Sequence, residues 1–199
     1  MLAGCAALVP TISPATPPAA KAGALARQPI DAIDLAGRLS VRYQKDGRNE
    51  ALHGSFTWTQ RPDATVVSLL SPLGQTLAVI TIKPTIAPTS ATIEQSGLAM
   101  RAAPDPNTLV ADALGWPLPI AGLRDWLQGF TVDARGSLQT VTVNDTATMR
   151  TADGWTLQYA AWDTTDTASP HPKRIDLTRQ TTEAGEVAIR LVIDEWQPR

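Results

Sequence analysis

The sequence predicts a mainly β protein, an antiparallel sheet of about eleven strands interrupted by one helical insertion. Three observations carry that prediction. From Leu35 onward the dominant apolar period is two, the mark of strands with one wet face. Between Pro104 and Gly129 the apolar residues fall at helical spacing instead. Finally, 13 Gly and 16 Pro among 199 residues suit a chain of many turns and are high for a helical bundle. A hydrophobic fraction of 43% is enough for one core, and the length is too short for two full domains.

The elements follow in order. Gly37, Leu39, Val41 and Tyr43 alternate with Arg38, Ser40 and Arg42, giving a first strand. After the turn Lys45-Asp46-Gly47, Leu52, Gly54, Phe56 and Trp58 alternate with His53, Ser55, Thr57 and Thr59, so the two segments make a hairpin. Val66 to Leu70 and Thr76 to Ile82, rich in β-branched residues, flank the turn Ser71-Pro72-Leu73-Gly74. Two shorter strands, Thr89 to Gln95 and Leu98 to Ala102, end the first half.

In the insertion, Asp105 caps a helix that has Pro106 at its first position and Gly115 after its last. Leu109, Val110, Ala113 and Leu114 share its face. A second helix runs from Ala121 to Gln128, with Leu123, Trp126 and Leu127 at helical spacing. Trp116-Pro117-Leu118-Pro119 joins the two and cannot be helical. Strands then return at Leu138 to Val143, Ala147 to Arg150, Trp155 to Ala161, Ile175 to Thr178 and Val187 to Glu195. Asp153-Gly154 and Ala184-Gly185 supply turns, and Thr164 to Pro172 is a polar loop. So many antiparallel strands with one apolar face must curl, and wrapping the sheet around the helices is the simplest way. A pocket remains inside if the helices do not fill it.

The N-terminal segment has a different character. Met1-Leu2-Ala3-Gly4-Cys5 resembles the lipobox read by bacterial lipoprotein signal peptidase, with Cys5 as the residue to be acylated. That reading places a basic and apolar leader upstream of Met1. The competing reading is a free cysteine in a tail. Residues 6–28 are rich in Ala and Pro, and Pro10, Pro14, Pro17 and Pro18 prevent a continuous helix. They read as a tether that, at roughly 3 Å per residue, holds a domain of residues 29–199 about 50–60 Å from an anchor at Cys5. No stretch approaches the ~18 apolar residues of a membrane-spanning helix.

Chemistry of other kinds finds little support. A net charge of −2 offers no basic field for nucleic acid. One cysteine excludes an intramolecular disulfide framework and a multi-cysteine metal site. His53 and His171 sit in no nucleophile or metal motif, so no catalytic residue, metal or cofactor is expected. A hydrolase with a β-rich body would need a Ser-His-Asp cluster built on His53. Six of the aromatic residues are Trp, which can be plain core or the wall of an apolar cavity. Leu73, where a turn usually has a polar residue, either packs back on the domain or points at something apolar.

Several blocks together resemble the LolB family of outer-membrane lipoproteins. They are Gly37-Arg38-Leu39-Ser40-Val41 with Phe56 and Trp58, Ser71 to Thr76, and Leu114-Gly115-Trp116-Pro117-Leu118-Pro119 followed by Leu123-Arg124-Asp125-Trp126-Leu127-Gln128-Gly129. The last block is the most specific, and Glu195-Trp196 at the chain end also fits. The resemblance implies an unclosed, curved antiparallel barrel whose helices, about residues 105–129, form a lid over a hydrophobic cavity. It implies a monomeric receptor, lipid-anchored by a diacylglycerol and acyl group on Cys5 at the periplasmic face of the outer membrane. Its partners would be a LolA-like periplasmic carrier, acylated lipoprotein cargo and the inner leaflet of that membrane. Ala6, in place of Asp after the cysteine, agrees with outer-membrane sorting. The resemblance further implies that Pro72, Leu73 and Gly74 form a membrane-insertion loop. Alternation then assigns Leu39, Val41, Phe56, Trp58, Leu70 and Ile80 of the sheet, and Leu114, Trp116, Leu118 and Trp126 of the lid, to the acyl-chain cavity. A generic lipid-binding envelope lipoprotein is the alternative.

Overall fold

A computed structural model describes residues 27–84 and 90–199. Cys5, the lipobox and tether residues 6–26 lie outside the described residues.

The first half of the chain is a meander. It comprises β1 (Ile33–Lys45), β2 (Arg48–Gln60), β3 (Thr65–Leu70), β4 (Thr76–Lys83), β5 (Ser90–Glu94) and β6 (Arg101–Ala103). Helices α1 (Pro106–Leu114) and α2 (Ile120–Trp126) follow, then a small hairpin of β7 (Phe130–Val132) and β8 (Leu138–Thr140). The chain ends with β9 (Thr148–Arg150), β10 (Thr156–Asp163), β11 (His171–Thr181) and β12 (Gly185–Pro198).

Ten strands form one sheet in the order β6-β5-β4-β3-β2-β1-β12-β11-β10-β9. Every adjacent pair is antiparallel, and β1 against β12 joins the two halves of the chain. The edge strands β6 and β9 are three residues each. Between them in sequence run α1, α2 and the β7–β8 hairpin, so the insertion leaves one edge and returns at the other. This is why the barrel stays open. Short edges also offer little template for pairing with another chain.

Burial alternates along the strands as the period of two requires. Leu39 and Val41 on β1, Phe56 and Trp58 on β2, Ile80 on β4 and Leu157 and Tyr159 on β10 are buried on the concave face. Against β12, β1 shifts register between Ala36 and Gly37, which leaves Asp194 as the extra residue. The bulge reverses the parity of β12, so that Trp196 stands opposite Leu35. At Gly37 the strands approach closely: a Cβ there would lie 2.1 Å from the Val192 carbonyl oxygen and 2.9 Å from Phe56 Cε1. Only glycine fits that position.

The α1 cap is as expected. The Asp105 carboxylate accepts from the backbone N–H groups of Asn107 (3.1 Å) and Thr108 (3.2 Å), and Gly115 ends the helix at φ 79°. Helix α2 runs one residue earlier than predicted at its start and two at its end. Its N-cap, Pro119, makes no side-chain capping bond, but Asn107 Oδ1 accepts from the Ala121 N–H (3.1 Å), so the first turn of α1 serves the start of α2.

Two details differ from expectation. Among the described residues there are twelve strands, against the expected count of about eleven, because Phe130–Val132 pairs with Leu138–Thr140 in a separate hairpin that three residues could not announce by periodicity. Strand β11 takes in His171 and Pro172, placed in a loop by the sequence. Pairing of β11 with β12 begins only at Arg174, so Pro172 has a neighbour on one side, β10, where a missing donor is tolerated. Arg27, two residues before the expected start of the domain, has its side chain bonded to the carbonyls of Gln128 and Gly129.

Candidate functional site

The concave face and the lid enclose a wholly apolar interior. Leu39, Phe56, Trp58, Val67, Leu69 and Leu191 line it from the sheet, and Leu118, Ile120, Leu123 and Leu127 from the lid. No polar surface is exposed within it, and it leaves about 10 Å³ for the centre of a water-sized sphere. That is the room of about one water, against roughly 300–1,000 Å³ for ligand pockets. The helices therefore fill the concavity, and the described form is closed.

Of the residues assigned to the cavity, Leu39, Phe56, Trp58 and Leu118 line this interior. Val41, Ile80, Trp116 and Trp126 are buried in the same apolar cluster, and Leu114 packs half-buried against it. Leu70 is a correction: it is half-buried on the other face, and Leu69 points inward. The run Val66-Val67-Ser68-Leu69-Leu70 has apolar residues at both parities, so alternation could not choose a face. Pairing with β2 chose it, by setting Leu69 against Phe56 and Val67 against Trp58. The same ambiguity hid Val67. Leu123 and Leu127 were legible as the apolar face of α2, and Leu191 as an alternating position of the last strand, whereas Ile120 fell just before the expected helix and was missed.

The lid is held by polar groups at its C-terminal end. Buried Gln128 accepts from the Ile30 N–H at Oε1 (2.7 Å) and donates from Nε2 to the carbonyls of Ile30 (3.1 Å) and Arg124 (3.3 Å). Buried Gln60 donates to the Ile30 carbonyl (3.0 Å) and accepts from Trp58 Nε1 (3.3 Å). The Arg27 guanidinium donates to the carbonyls of Gln128 (3.3 Å), Gly129 (3.2 Å) and Val141. Burial lowers its pKa from the usual arginine value. The Tyr159 hydroxyl donates to the Trp126 carbonyl (3.1 Å), and burial raises the phenol above its ordinary range. Residues 27–30 thus form a strap bonded to the end of the lid. Composition gave no sign of it, because Arg27 follows directly on the Ala- and Pro-rich segment.

The second feature is the β3–β4 tip. The Ser71 N–H donates to the Gln75 carbonyl (2.8 Å) and the Gly74 N–H to the Ser71 carbonyl (2.9 Å), with Gly74 at φ 79°. Pro72, Leu73 and Gly74 are held at the apex. Leu73 is 88% exposed, so it does not pack back on the domain.

His53 is exposed opposite Ser40, and His171 stacks on Trp196 with ring centroids 4.4 Å apart. The described residues hold no group of three His, Cys, Asp or Glu that could bind a metal. Among them, no helix is long and apolar enough to cross a membrane.

A family model described as outer membrane lipoprotein LolB matches residues 31–196. The outer-membrane lipoprotein LolB of Cupriavidus metallidurans is 37% identical over 197 residues, covering 97% of this chain and 89% of that protein. That of Cupriavidus pinatubonensis is 40% identical over 162 residues, covering 79% and 76%. That of Thiobacillus denitrificans is 33% identical, covering 98% and 91%. Among solved structures, a LolA superfamily protein from Nitrosomonas europaea aligns with a TM-score of 0.45 and 11% identity, covering 87% of this chain and 88% of that one. With the family model spanning the whole sheet and lid, and relatives matching over nearly the full length, the chain belongs to the LolB family of outer membrane lipoproteins.

Proposed function

We propose that this protein is an outer-membrane lipoprotein receptor that takes acyl chains from a LolA-like carrier and releases them into the membrane beside it. Family membership supports an outer-membrane location and a role in lipoprotein localisation without covalent catalysis. The observation that carries the finer reading is the pairing of an uncharged, closed apolar interior with a leucine displayed at a hairpin apex. An acyl chain in water costs about 0.8 kcal/mol per CH₂, and an apolar interior removes that cost. A receptor interior slightly more favourable than the carrier's makes transfer run downhill without a nucleotide. Since the interior is filled, cargo enters by displacing α2, and Leu118, Ile120, Leu123 and Leu127 exchange their contacts with the sheet for contacts with the chain. This exchange keeps the empty receptor from exposing apolar surface.

In this reading Cys5 carries the acyl anchor, residues 6–26 are the tether, and Leu73 enters the lipid when cargo is released. The test is Leu73→Glu, assayed in two steps with a labelled lipoprotein loaded on the carrier. Acceptance from the carrier is expected to persist, and insertion into outer-membrane vesicles to fall at least tenfold, because a charge replaces the apolar apex. Unimpaired insertion overturns the role of Leu73. Failure to accept cargo from the carrier, with the wild-type chain, overturns the receptor reading and leaves a generic lipid binder.

A further inference from the structure

Leu73 is not the only apolar side chain displayed at its end of the sheet. Leu98 is 64% exposed and Met100 62%, both in the turn joining β5 to β6, and Leu77 at the start of β4 is 40% exposed. The meander places both turns at the same end of the sheet. The β4–β5 ladder ends at Val79 and Glu94, and the chain then turns back, the Gln95 carbonyl accepting from the Leu98 N–H (3.1 Å), so the β5–β6 turn lies at the end of the sheet where β4 starts, at the foot of the Leu73 hairpin. Across the sheet, the β3–β4 and β5–β6 turns are separated by two strand spacings, about 10 Å.

Neither turn carries an ionisable side chain: Ser71 to Leu77 and Gln95 to Met100 are free of charge in a chain that is 18% charged. Inserting them desolvates no ion, whereas each exposed leucine or methionine gains by leaving water. Charge appears at the base of the second turn, with Glu94 before it and Arg101 after it. The second turn is also joined to the lid. Gln95 Nε2 donates to the Ala113 carbonyl (3.4 Å) and Arg101 to the Asp112 carbonyl (3.5 Å), both on the last turn of α1.

We propose that the β5–β6 turn, through Leu98 and Met100, is a second lipid-contacting tip that seats beside Leu73 on a phospholipid surface. This extends the reading of Leu73 as a membrane tip and rests on it. One tip leaves the molecule free to swivel about the point of contact. Two tips fix a line, and here the line brings the C-terminal end of α1 over the bilayer. A lipid-seated turn thereby bears on the lid through Gln95 and Arg101.

The experiment uses the full chain with Cys5→Ala, so that an introduced cysteine is the sole labelling site and binding does not depend on an acyl anchor. An environment-sensitive fluorophore is attached at Ser96→Cys in one protein and at Gln75→Cys in another. Each is mixed with vesicles of phosphatidylethanolamine and phosphatidylglycerol, with and without bromine on the acyl chains. Both probes are expected to shift to the blue and to be quenched by the brominated lipid. Leu98→Ser with Met100→Ser is expected to lower vesicle binding about tenfold, with thermal stability unchanged because both side chains are exposed. A quenched Gln75 probe with an aqueous Ser96 probe overturns the second tip and leaves the Leu73 reading standing. Two aqueous probes overturn both.

Discussion

The Arg27 guanidinium lies over the indole of Trp162, 4.6 Å from the ring centroid, while its N–H groups point at the carbonyls of Gln128 and Gly129. A planar cation stacked on an aromatic face and forked onto carbonyls uses every feature that distinguishes arginine from lysine. It joins the segment preceding β1 with the end of the lid. Gly129 sits between them at φ 77°, and a Cβ there would lie 2.6 Å from the Trp162 ring and 2.7 Å from the Arg27 guanidinium.

Replacing this residue, Arg27→Ala, is expected to destabilise the protein by about 1–2 kcal/mol, since charge-assisted bonds at a half-buried site are lost. The loss is local first. Amide hydrogen exchange at Leu127 to Gly129 is expected to speed up ahead of exchange in β1, and a hydrophobic fluorophore to bind more readily as the lid opens. Arg27→Lys restores little, because an ammonium cannot fork across the carbonyls. Uniform exchange changes across the sheet would show that the strap does not act on the lid.

The facing of β3 can be checked by a pair of truncations. Leu69→Ala is expected to cost about 2–4 kcal/mol in denaturant unfolding, because Leu69 is buried against Phe56 and the lid. Leu70→Ala, on the other face, is expected to cost less than about 1 kcal/mol. Equal costs would place both side chains in the core.

Gly37→Ala tests the seam between β1 and β12. The added methyl would meet the Val192 carbonyl, which cannot turn aside, and the Phe56 ring. A loss of about 2–3 kcal/mol is expected, despite alanine's better backbone entropy. A midpoint within error of the wild type would mean that the strands part at Gly37 without cost.

Acid stability has a named contributor. Arg61, and then Arg199, hydrogen-bond to Asp34 and lower its carboxyl pKa from the usual 3.8 to about 2. Arg61 Nη1 is 2.8 Å and Arg199 Nε 2.7 Å from the Asp34 carboxylate, tying the start of β1 to the end of β2 and the chain terminus. A depressed folded pKa favours folding above the unfolded pKa, and that contribution is lost as pH falls through the folded value. Thermal midpoints of the wild type are therefore expected to drop between about pH 4 and pH 2. Asp34→Asn is expected to lower the midpoint at pH 7 and flatten that drop. An unchanged acid slope in the variant would remove Asp34 from the account.

Much of the fold was legible because its signals are local. The alternation in Gly37 to Tyr43 and in Leu52 to Thr59 marks strands, and the Asp105-Pro106 start and Gly115 stop mark a helix, without reference to the rest of the chain. The candidate site was legible where a residue's face followed from that alternation, as at Leu39, Phe56 and Trp58. It was not at Leu70, where apolar residues occupy both faces and the partner strand decides.

By itself the sequence determined the class of fold, the place of the helical insertion, the Leu73 turn and the resemblance to LolB, since short-range periodicity and turn chemistry encode these. Only the tertiary structure decided that the insertion runs between the two sheet edges, that the lid fills the concavity, and that Arg27 is bonded to the end of the lid. Arg27 meets Gln128, Gly129 and Val141 more than a hundred residues away, and local pattern carries no record of such a contact. The meander that brings Leu73, Leu77 and Leu98 to one end of the sheet is a property of the whole ladder and of no single strand.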